Sequence, residues 1–347
     1  MDIVFRILEI TVAFLGVLGI CLIGLALMGF VNLQKRRSKP SAEGFLTITS
    51  LSEKATEQDT SLQEVLLSKS QFKSLEKKLK KQEEELEKKE KSQNTEGSDN
   101  PKEFGPKSRV FVMDFDGDIH AHQTTQLGKT IDALLRISKP FDRCILRLES
   151  PGGVVHGYGL AAAQLQRITN AGLDLWICVD KIAASGGYMM ACVGQKIFAA
   201  PFAVLGSIGV VASFPNFHRV LKKWDVDYLE LTAGEFKRTL TPLGEVTPQK
   251  QSKFVLQLEE THELFKQHVT QCRPQVLADK VTTGEHWYGK QCLDLGLVDA
   301  IQTSNEVIEP FLSTHKVFLF GWEEPKDWRK KLGSFVRAVY QKWVFPV

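Results

Sequence analysis

Strand-like and helix-like segments alternate between residues 109 and 214, and this alternation restricts the possible folds more than any other feature of the chain. Apolar runs predict strands at "RVFVMDF", "RCILRLES", "DLWICVD", "KIFAAP" and "AVLGSIGVV". Amphipathic segments predict helices near residues 122–137, 158–171 and 185–193, and a longer one at 248–272. The run "VDYLELT" predicts a further strand. Such alternation is typical of βαβ units, so the sequence predicts an α/β fold with a largely parallel sheet whose strand ends gather functional groups.

Composition excludes some classes of function. The chain has 347 residues and a formal net charge of only +3, with basic residues concentrated near both ends. It therefore lacks the basic stripe typical of nucleic-acid binding. Six cysteines occur without C-x-x-C spacing, and we interpret them as small buried hydrophobic residues rather than disulfides or metal ligands. They are Cys21, Cys144, Cys178, Cys192, Cys272 and Cys292.

The N-terminus predicts a membrane anchor. Residues 11–31 carry no charge, and as a helix they would extend about 31 Å, which matches a hydrocarbon core. A cleaved signal peptide is the alternative, but the run exceeds the usual apolar region of about 7 to 15 residues. Four basic residues follow within residues 35–39. By the positive-inside rule, this pattern favours a cytoplasmic location for the rest of the chain.

The sequence divides into four predicted segments. Residues 1–40 hold the anchor and its basic flank, and 41–106 a charged helical stalk and linker, for which a coiled coil is the alternative. Residues 107–315 form the folded domain. Residues 316–347 are a tail that mixes aromatic and basic residues, a composition suited to an anionic lipid surface or to packing on a neighbouring subunit.

Two predicted strand ends carry groups suited to catalysis. The run "CILRLES" ends in Ser150, Pro151, Gly152 and Gly153, where the glycines permit positive φ and leave backbone N–H groups accessible to a ligand. This is either an oxyanion site or an ordinary turn. The run "DLWICVD" leads to Ser185, which lies between two alanines and two glycines. Ser185 is either a helix N-cap or a nucleophile whose neighbours leave room for a substrate.

A nucleophilic serine needs a base to take its proton. The eight histidines lack a clear acidic partner in the sequence, His156 being nearest to the glycine pair, so a Ser-His-Asp triad is disfavoured. A lysine can serve where burial lowers the pKa of its ammonium group. The candidates are Lys237, which follows a predicted strand, and Lys181, which we expect to point to solvent. Spacing alone does not choose between them.

Five ordered motifs carry a family resemblance. "LESPGGVVHGYGLAAAQLQR", "VDKIAASGGYMMACV", "GSIGVVASFPNF", "TAGEFKRTLTPLGE" and "TGEHWYGKQCLDLGLVD" resemble an inner-membrane branch of the signal peptide peptidase A (protease IV) family. The resemblance implies a serine peptidase of the ClpP/crotonase-like fold, built of repeated ββα-type units, with a Ser-Lys dyad and no cofactor or metal. The matching positions are Ser185 as nucleophile, Lys237 as general base, Ser207 as the residue that orients the lysine, and Gly152 as an oxyanion donor. We add Gly186 as a second donor.

The resemblance also implies partners and a location. The substrates would be peptides such as signal peptides. The chain would cross the bacterial inner membrane once. It would form a bowl-shaped homo-oligomer in which serine and lysine come from neighbouring subunits. The signal peptide peptidase works on the outer side of the membrane, whereas the charge pattern here favours the cytoplasmic side. Two alternatives to the peptidase remain: a catalytically silent scaffold of the same fold, and a crotonase-like acyl-CoA enzyme, which would normally employ glutamates.

Overall fold

A computed structural model describes residues 44–74, residue 77 and residues 109–323. The predicted anchor at residues 1–40, the later part of the predicted stalk and the tail beyond residue 323 lie outside these ranges. In the described part of the chain, no helix is both long and apolar enough to cross a membrane. Residues Leu46–Trp322 form one compact unit.

Seven strands form the main sheet. They are β1 (Phe45–Ser50), β2 (Arg109–Asp116), β3 (Arg143–Glu149), β4 (Asp174–Val179), β6 (Lys196–Ala199), β9 (Ala300–Ile301) and β10 (Lys316–Glu323). Their order is β1-β10-β2-β3-β4-β6-β9, and every neighbouring pair from β10 to β9 is parallel. The predicted α/β fold with a largely parallel sheet is confirmed.

Helices cover the sheet and follow the sequence pattern closely. They are α1 (Leu51–Leu66), α2 (Thr124–Ile137), α3 (Val155–Asn170), α4 (Gly186–Ala191), α5 (His218–Lys223), α6 (Pro248–Cys272), α7 (Ala278–Val281), α8 (Gly289–Asp294) and α9 (Ser304–Thr314). The bounds of α2, α3, α4 and α6 agree with the amphipathic segments to within about three residues. The sequence therefore predicted these helices correctly.

The core occupies both faces of the sheet because side chains alternate along each strand. On β2, Phe111, Met113 and Phe115 pack in the larger cluster, together with residues of α2, α3 and α4. Val110 and Val112 point to the smaller cluster, which includes residues of α9. Burial on both faces explains why the strands are nearly continuous apolar runs.

A second, three-stranded sheet positions the residues of interest. It consists of β5 (Ile182–Ala184), β7 (Val204–Gly206) and β8 (His286–Tyr288). The β5–β7 pair is parallel and the β7–β8 pair antiparallel. A bridge between Ser150 and Ala183 joins the end of β3 to β5. The ends of β3, β5 and β7 are thereby held side by side.

The run "VDYLELT" is not a strand, which corrects the prediction for residues 226–232. Its side chains are strongly exposed, Leu229 at 83% and Leu231 at 94%. A strand needs a neighbouring strand for its backbone hydrogen bonds, and within the described residues this segment pairs with none. The segment belongs to a largely exposed arm, residues 209–247.

The folded unit extends beyond the boundaries 107 and 315 that the sequence suggested. Residues 45–50, assigned to the stalk, form edge strand β1, and residues 316–323, assigned to the tail, form β10 beside it. Ser52 at the start of α1 donates through Oγ to the carbonyl of His315 at 3.2 Å and accepts from the N–H of Val317 at 2.8 Å. This segment is therefore part of the sheet, not of a separate stalk.

Candidate active site

Ser185 lies where β5 ends and α4 begins, in a conformation rarely adopted by residues other than glycine. Its φ is 51° and its ψ −117°, which costs about 1–3 kcal/mol and occurs most often at functional sites. Its N–H donates to the carbonyl of Gly206 at 2.8 Å and its carbonyl accepts from Met189 at 3.0 Å. The half-buried side chain makes no capping hydrogen bond. Ser185 therefore occupies the N-cap position of α4 without capping it through the side chain, and the hydroxyl is left for another partner.

Ser207 is brought beside Ser185 by the register of the small sheet. Ala184 of β5 pairs with Gly206 of β7, and the two strands are parallel. Ser185 and Ser207 directly follow these paired residues, so they lie side by side at the two strand ends. Ser207 also has a φ of 51°, and its N–H donates to the carbonyl of Glu285 at 2.6 Å. The same positive φ thus occurs at two adjacent strand ends.

The glycines after Ser185 serve close packing. A Cβ on Gly186 would overlap the ring of Tyr158, and one on Gly187 would lie 2.6 Å from the carbonyl oxygen of Ser150. The sequence interpretation was that these glycines leave room for a substrate. In the structure that room is already filled by neighbouring side-chain and backbone atoms.

Gly152 contacts Ser185 directly. Its φ is +86°, and an added Cβ would lie 2.6 Å from the carbonyl oxygen of Ala184 and 2.8 Å from the Cβ of Ser185. The structure therefore brings together Gly152, Ser185, Gly186 and Ser207. Only glycine fits at position 152, because both the backbone angle and the space exclude a side chain.

A buried hydrogen-bond chain fixes the Gly152 loop, and sequence reasoning missed it. The Gly152 N–H donates to Ser150 Oγ at 3.1 Å, and Ser150 Oγ lies 2.6 Å from Tyr158 Oη. Tyr158 in turn donates to the carbonyl of Asp118 at 2.7 Å. Burial raises the pKa of Tyr158, so the phenol stays protonated and remains a donor. In this conformation the Gly152 N–H is engaged with Ser150.

Lys237 makes no hydrogen bond with any of these groups in the described residues. It is exposed on the 209–247 arm, and its N–H donates to the carbonyl of Gly234 at 3.2 Å. Within the described part of the chain its ammonium group makes no hydrogen bond or ion pair. Its neighbour Arg238 lies 3.6 Å from Glu230. The buried setting expected from the sequence is absent in the single chain.

Within the described residues, the other candidate bases make no hydrogen bond to Ser185. Lys181 is exposed and bonded to Glu149 at 2.8 Å; this hydrogen bond raises the pKa of Lys181, so the ammonium form is favoured. His122 pairs with Asp118, which corrects the expectation that no histidine has an acidic partner. Both members of that pair are exposed, and among the described residues neither bonds to Ser185.

Most of the chain matches one peptidase family. Residues 167–317 match Peptidase family S49, and residues 7–165 match the N-terminal part of the same family. The probable protease SohB of Haemophilus influenzae is 49% identical over 92% of this chain and 90% of that protein. This chain belongs to peptidase family S49. The family predicted from the five motifs is thereby confirmed.

Other similarities are narrower. The probable protease SohB of Buchnera aphidicola is 49% identical over 58% of this chain and 60% of its own length. Among solved structures, the 1510-N membrane-bound stomatin-specific protease covers 59% of this chain and 85% of its own, with 16% identity and a TM-score of 0.37.

We predict that Gly152→Ala impairs this S49 peptidase. An alanine Cβ would displace the loop against Ala184 and Ser185, and a displacement of about 1 Å near reacting groups can cost about 100-fold in rate. The measurement is the initial rate on a fluorogenic peptide. Gly159→Ala is the matched control, because Gly159 lies in α3 with nothing within 4 Å of an added Cβ. An undiminished rate in Gly152→Ala would contradict the role of this loop.

Proposed function

We propose that this chain is a membrane-anchored serine endopeptidase that uses Ser185 as nucleophile and Lys237 as general base. The observation that carries the proposal is the conformation of Ser185. Its backbone has a positive φ, its side chain makes no capping hydrogen bond, and it lies where three strands end. Ser207 and Gly152 lie directly beside it. Membership of family S49 supplies the peptidase class. The ClpP/crotonase-like assignment of the fold is part of the same proposal.

The proposed reaction is acyl transfer through the serine. Neutral Lys237 takes the proton of Ser185, whose Oγ attacks a peptide carbonyl, and the developing oxyanion is held by backbone N–H groups. Gly186, at the first position of α4, has no acceptor within its own helix, and Gly152 would exchange its bond to Ser150 for one to the oxyanion. The lysine ammonium then protonates the leaving amine. Water activated by the same lysine releases the acyl group, and no metal or cofactor takes part.

We place Lys237 in the site of a neighbouring copy of the chain. The arm that carries it exposes large apolar side chains, among them Val211 at 87%, Trp224 at 70% and Leu231 at 94%. Large exposed apolar side chains concentrated on one segment are a feature of protein interfaces. A second copy packed on the arm would bury both these side chains and Lys237. Burial of the lysine would favour the neutral amine that a general base requires.

Membrane attachment and substrate class follow from the sequence. The uncharged run at residues 11–31 is proposed as a single inner-membrane anchor, with the basic flank favouring a cytoplasmic catalytic domain. Proximity to the bilayer favours signal peptides or other membrane-associated peptides as substrates. A reporter enzyme fused to the C-terminus, active on only one side of the membrane, tests the orientation.

A fluorophosphonate probe tests the nucleophile. We expect the probe to label the wild-type protein covalently and to leave Ser185→Ala unlabelled, while Ser207→Ala is still labelled because Ser207 only orients the lysine. Equal labelling of the wild type and Ser185→Ala would overturn the assignment. Absence of labelling in the wild type, in a preparation that also fails to cleave peptides, would favour the silent scaffold.

A further inference from the structure

The contact between α4 and α6 contains three ligating side chains that peptide hydrolysis does not use. α4 starts directly after Ser185 and ends at its C-cap residue, Cys192, whereas α6 carries His268 and Cys272 one turn apart. One ligand atom of each residue lies within 4.8 Å of those of the other two. Cys192 is buried, and His268 and Cys272 are half-buried. The cluster is thus an interior one, shared by two helices.

The spacing of the three groups is close to that around a bound transition metal. Zinc bonds of about 2.3 Å to sulfur and 2.0–2.1 Å to imidazole nitrogen imply separations between ligand atoms of roughly 3.5–3.8 Å in a tetrahedral site. From separations of at most 4.8 Å, the three atoms would have to approach one another by about 1.3 Å or less. Side-chain rotation on two packed helices can provide a change of that size.

The surroundings also favour a metal. His268 donates from Nε2 to the carbonyl of Met189 at 2.9 Å, so a neutral ring keeps its lone pair on Nδ1. Histidine ligands commonly have their other ring nitrogen held by a backbone carbonyl in this way. Cys192 donates from Sγ to the same Met189 carbonyl at 3.3 Å, so both groups are held at one point, and metal binding would displace the thiol protons.

We propose that Cys192, His268 and Cys272 bind one thiophilic divalent cation of the zinc type, with water as the fourth ligand. Two thiolates and one imidazole select such an ion over Mg²⁺ or Ca²⁺, which require oxygen ligands. The ion links the far end of the helix that follows Ser185 to α6. The sequence analysis treated these cysteines as plain hydrophobic residues. The available signal was the four-residue spacing of His268 and Cys272, which places both on one face of a helix.

Cobalt titration of the full-length protein tests the site. The protein is purified in detergent with a reductant, stripped with a chelator, and titrated with Co²⁺. We expect a thiolate-to-cobalt charge-transfer absorption that saturates at one equivalent and disappears when Zn²⁺ is added. Cys272→Ser and His268→Gln should each raise the half-saturating Co²⁺ concentration at least about tenfold. Zn²⁺ should raise the thermal midpoint of the wild type more than that of either variant.

Matched controls lie in the same chain. His262→Gln removes another histidine of α6, which bonds to the carbonyl of Ile208, and Cys178→Ala removes a buried thiol on β4; both should bind Co²⁺ as the wild type does. Equal binding by Cys272→Ser and the wild type would overturn the proposal. The proposal would also be overturned if protein purified in air contained a Cys192–Cys272 disulfide and the reduced protein bound no Co²⁺. The absorption does not depend on peptide cleavage, so its failure is distinguishable from failure of the proposed function.

Discussion

Ser185→Ala should lower the rate of peptide hydrolysis by about 10⁴-fold or more, the size of loss seen when a catalytic nucleophile is removed. The fold should be retained, because alanine meets the same strain as serine at a φ of 51° and the lost hydroxyl makes no capping hydrogen bond. The measurement is the initial rate on a fluorogenic peptide library, paired with the thermal unfolding midpoint of each variant.

Two further serine variants calibrate this result. Ser207→Ala should lower the rate by a smaller factor, about 10- to 100-fold, because it removes a group that only positions the base. Ser61→Ala, an exposed position on α1, should leave the rate unchanged. If Ser185→Ala kept more than a tenth of the wild-type rate, Ser185 would not be the nucleophile.

Lys237→Ala and Lys237→Arg should both reduce hydrolysis to near the level of Ser185→Ala. Arginine keeps the positive charge but does not release its proton at neutral pH, so it cannot act as the base. Lys181→Arg is the matched control, since Lys181 is an exposed lysine paired with Glu149, and its rate should match the wild type. A wild-type rate in Lys237→Arg would exclude the proposed dyad.

Co-expression of the two inactive variants locates the dyad within or between chains. In a mixed oligomer of Ser185→Ala and Lys237→Ala subunits, random pairing of neighbours should restore about a quarter of the wild-type sites if serine and lysine come from adjacent subunits. Recovery of activity requires both variants in one oligomer. If each variant is purified and its oligomers are crosslinked before the two are mixed, no activity should be recovered. No recovery in co-expressed particles would place both residues of a site in one chain.

The parts of the fold that depend on local pattern were predictable. Helices α2, α3, α4 and α6 follow from amphipathic periodicity, and Ser185 was expected at a junction between strand and helix. Pairings between distant segments were not predictable from one sequence. The edge strand β1 joins β10 across more than two hundred residues, and its short alternating run lies just ahead of charged residues that favoured a stalk.

The candidate site shows the same division. The lengths of the apolar runs predicted that Ser185 and Gly152 lie at strand ends. Their direct contact depends on the Ser150–Ala183 bridge between the two sheets, which the sequence does not indicate. The hydrogen-bond chain through Ser150 and Tyr158 joins residues whose sequence spacing gave no sign of catalytic support. Lys237 is the opposite case, because the sequence motif singled it out and the single chain leaves it exposed.

The two ends of the folded unit lie at one corner of the sheet. Thr47 near the start of β1 donates to the carbonyl of Gly321 near the end of β10 at 3.2 Å, while Ser52, just after β1, bonds near the start of β10, so β1 and β10 run in opposite directions. A pulling force applied through both flanking segments would open the hydrogen bonds between these strands one after another. It would detach β1 from β10 before it sheared the parallel strands that lead to Ser150 and Gly152.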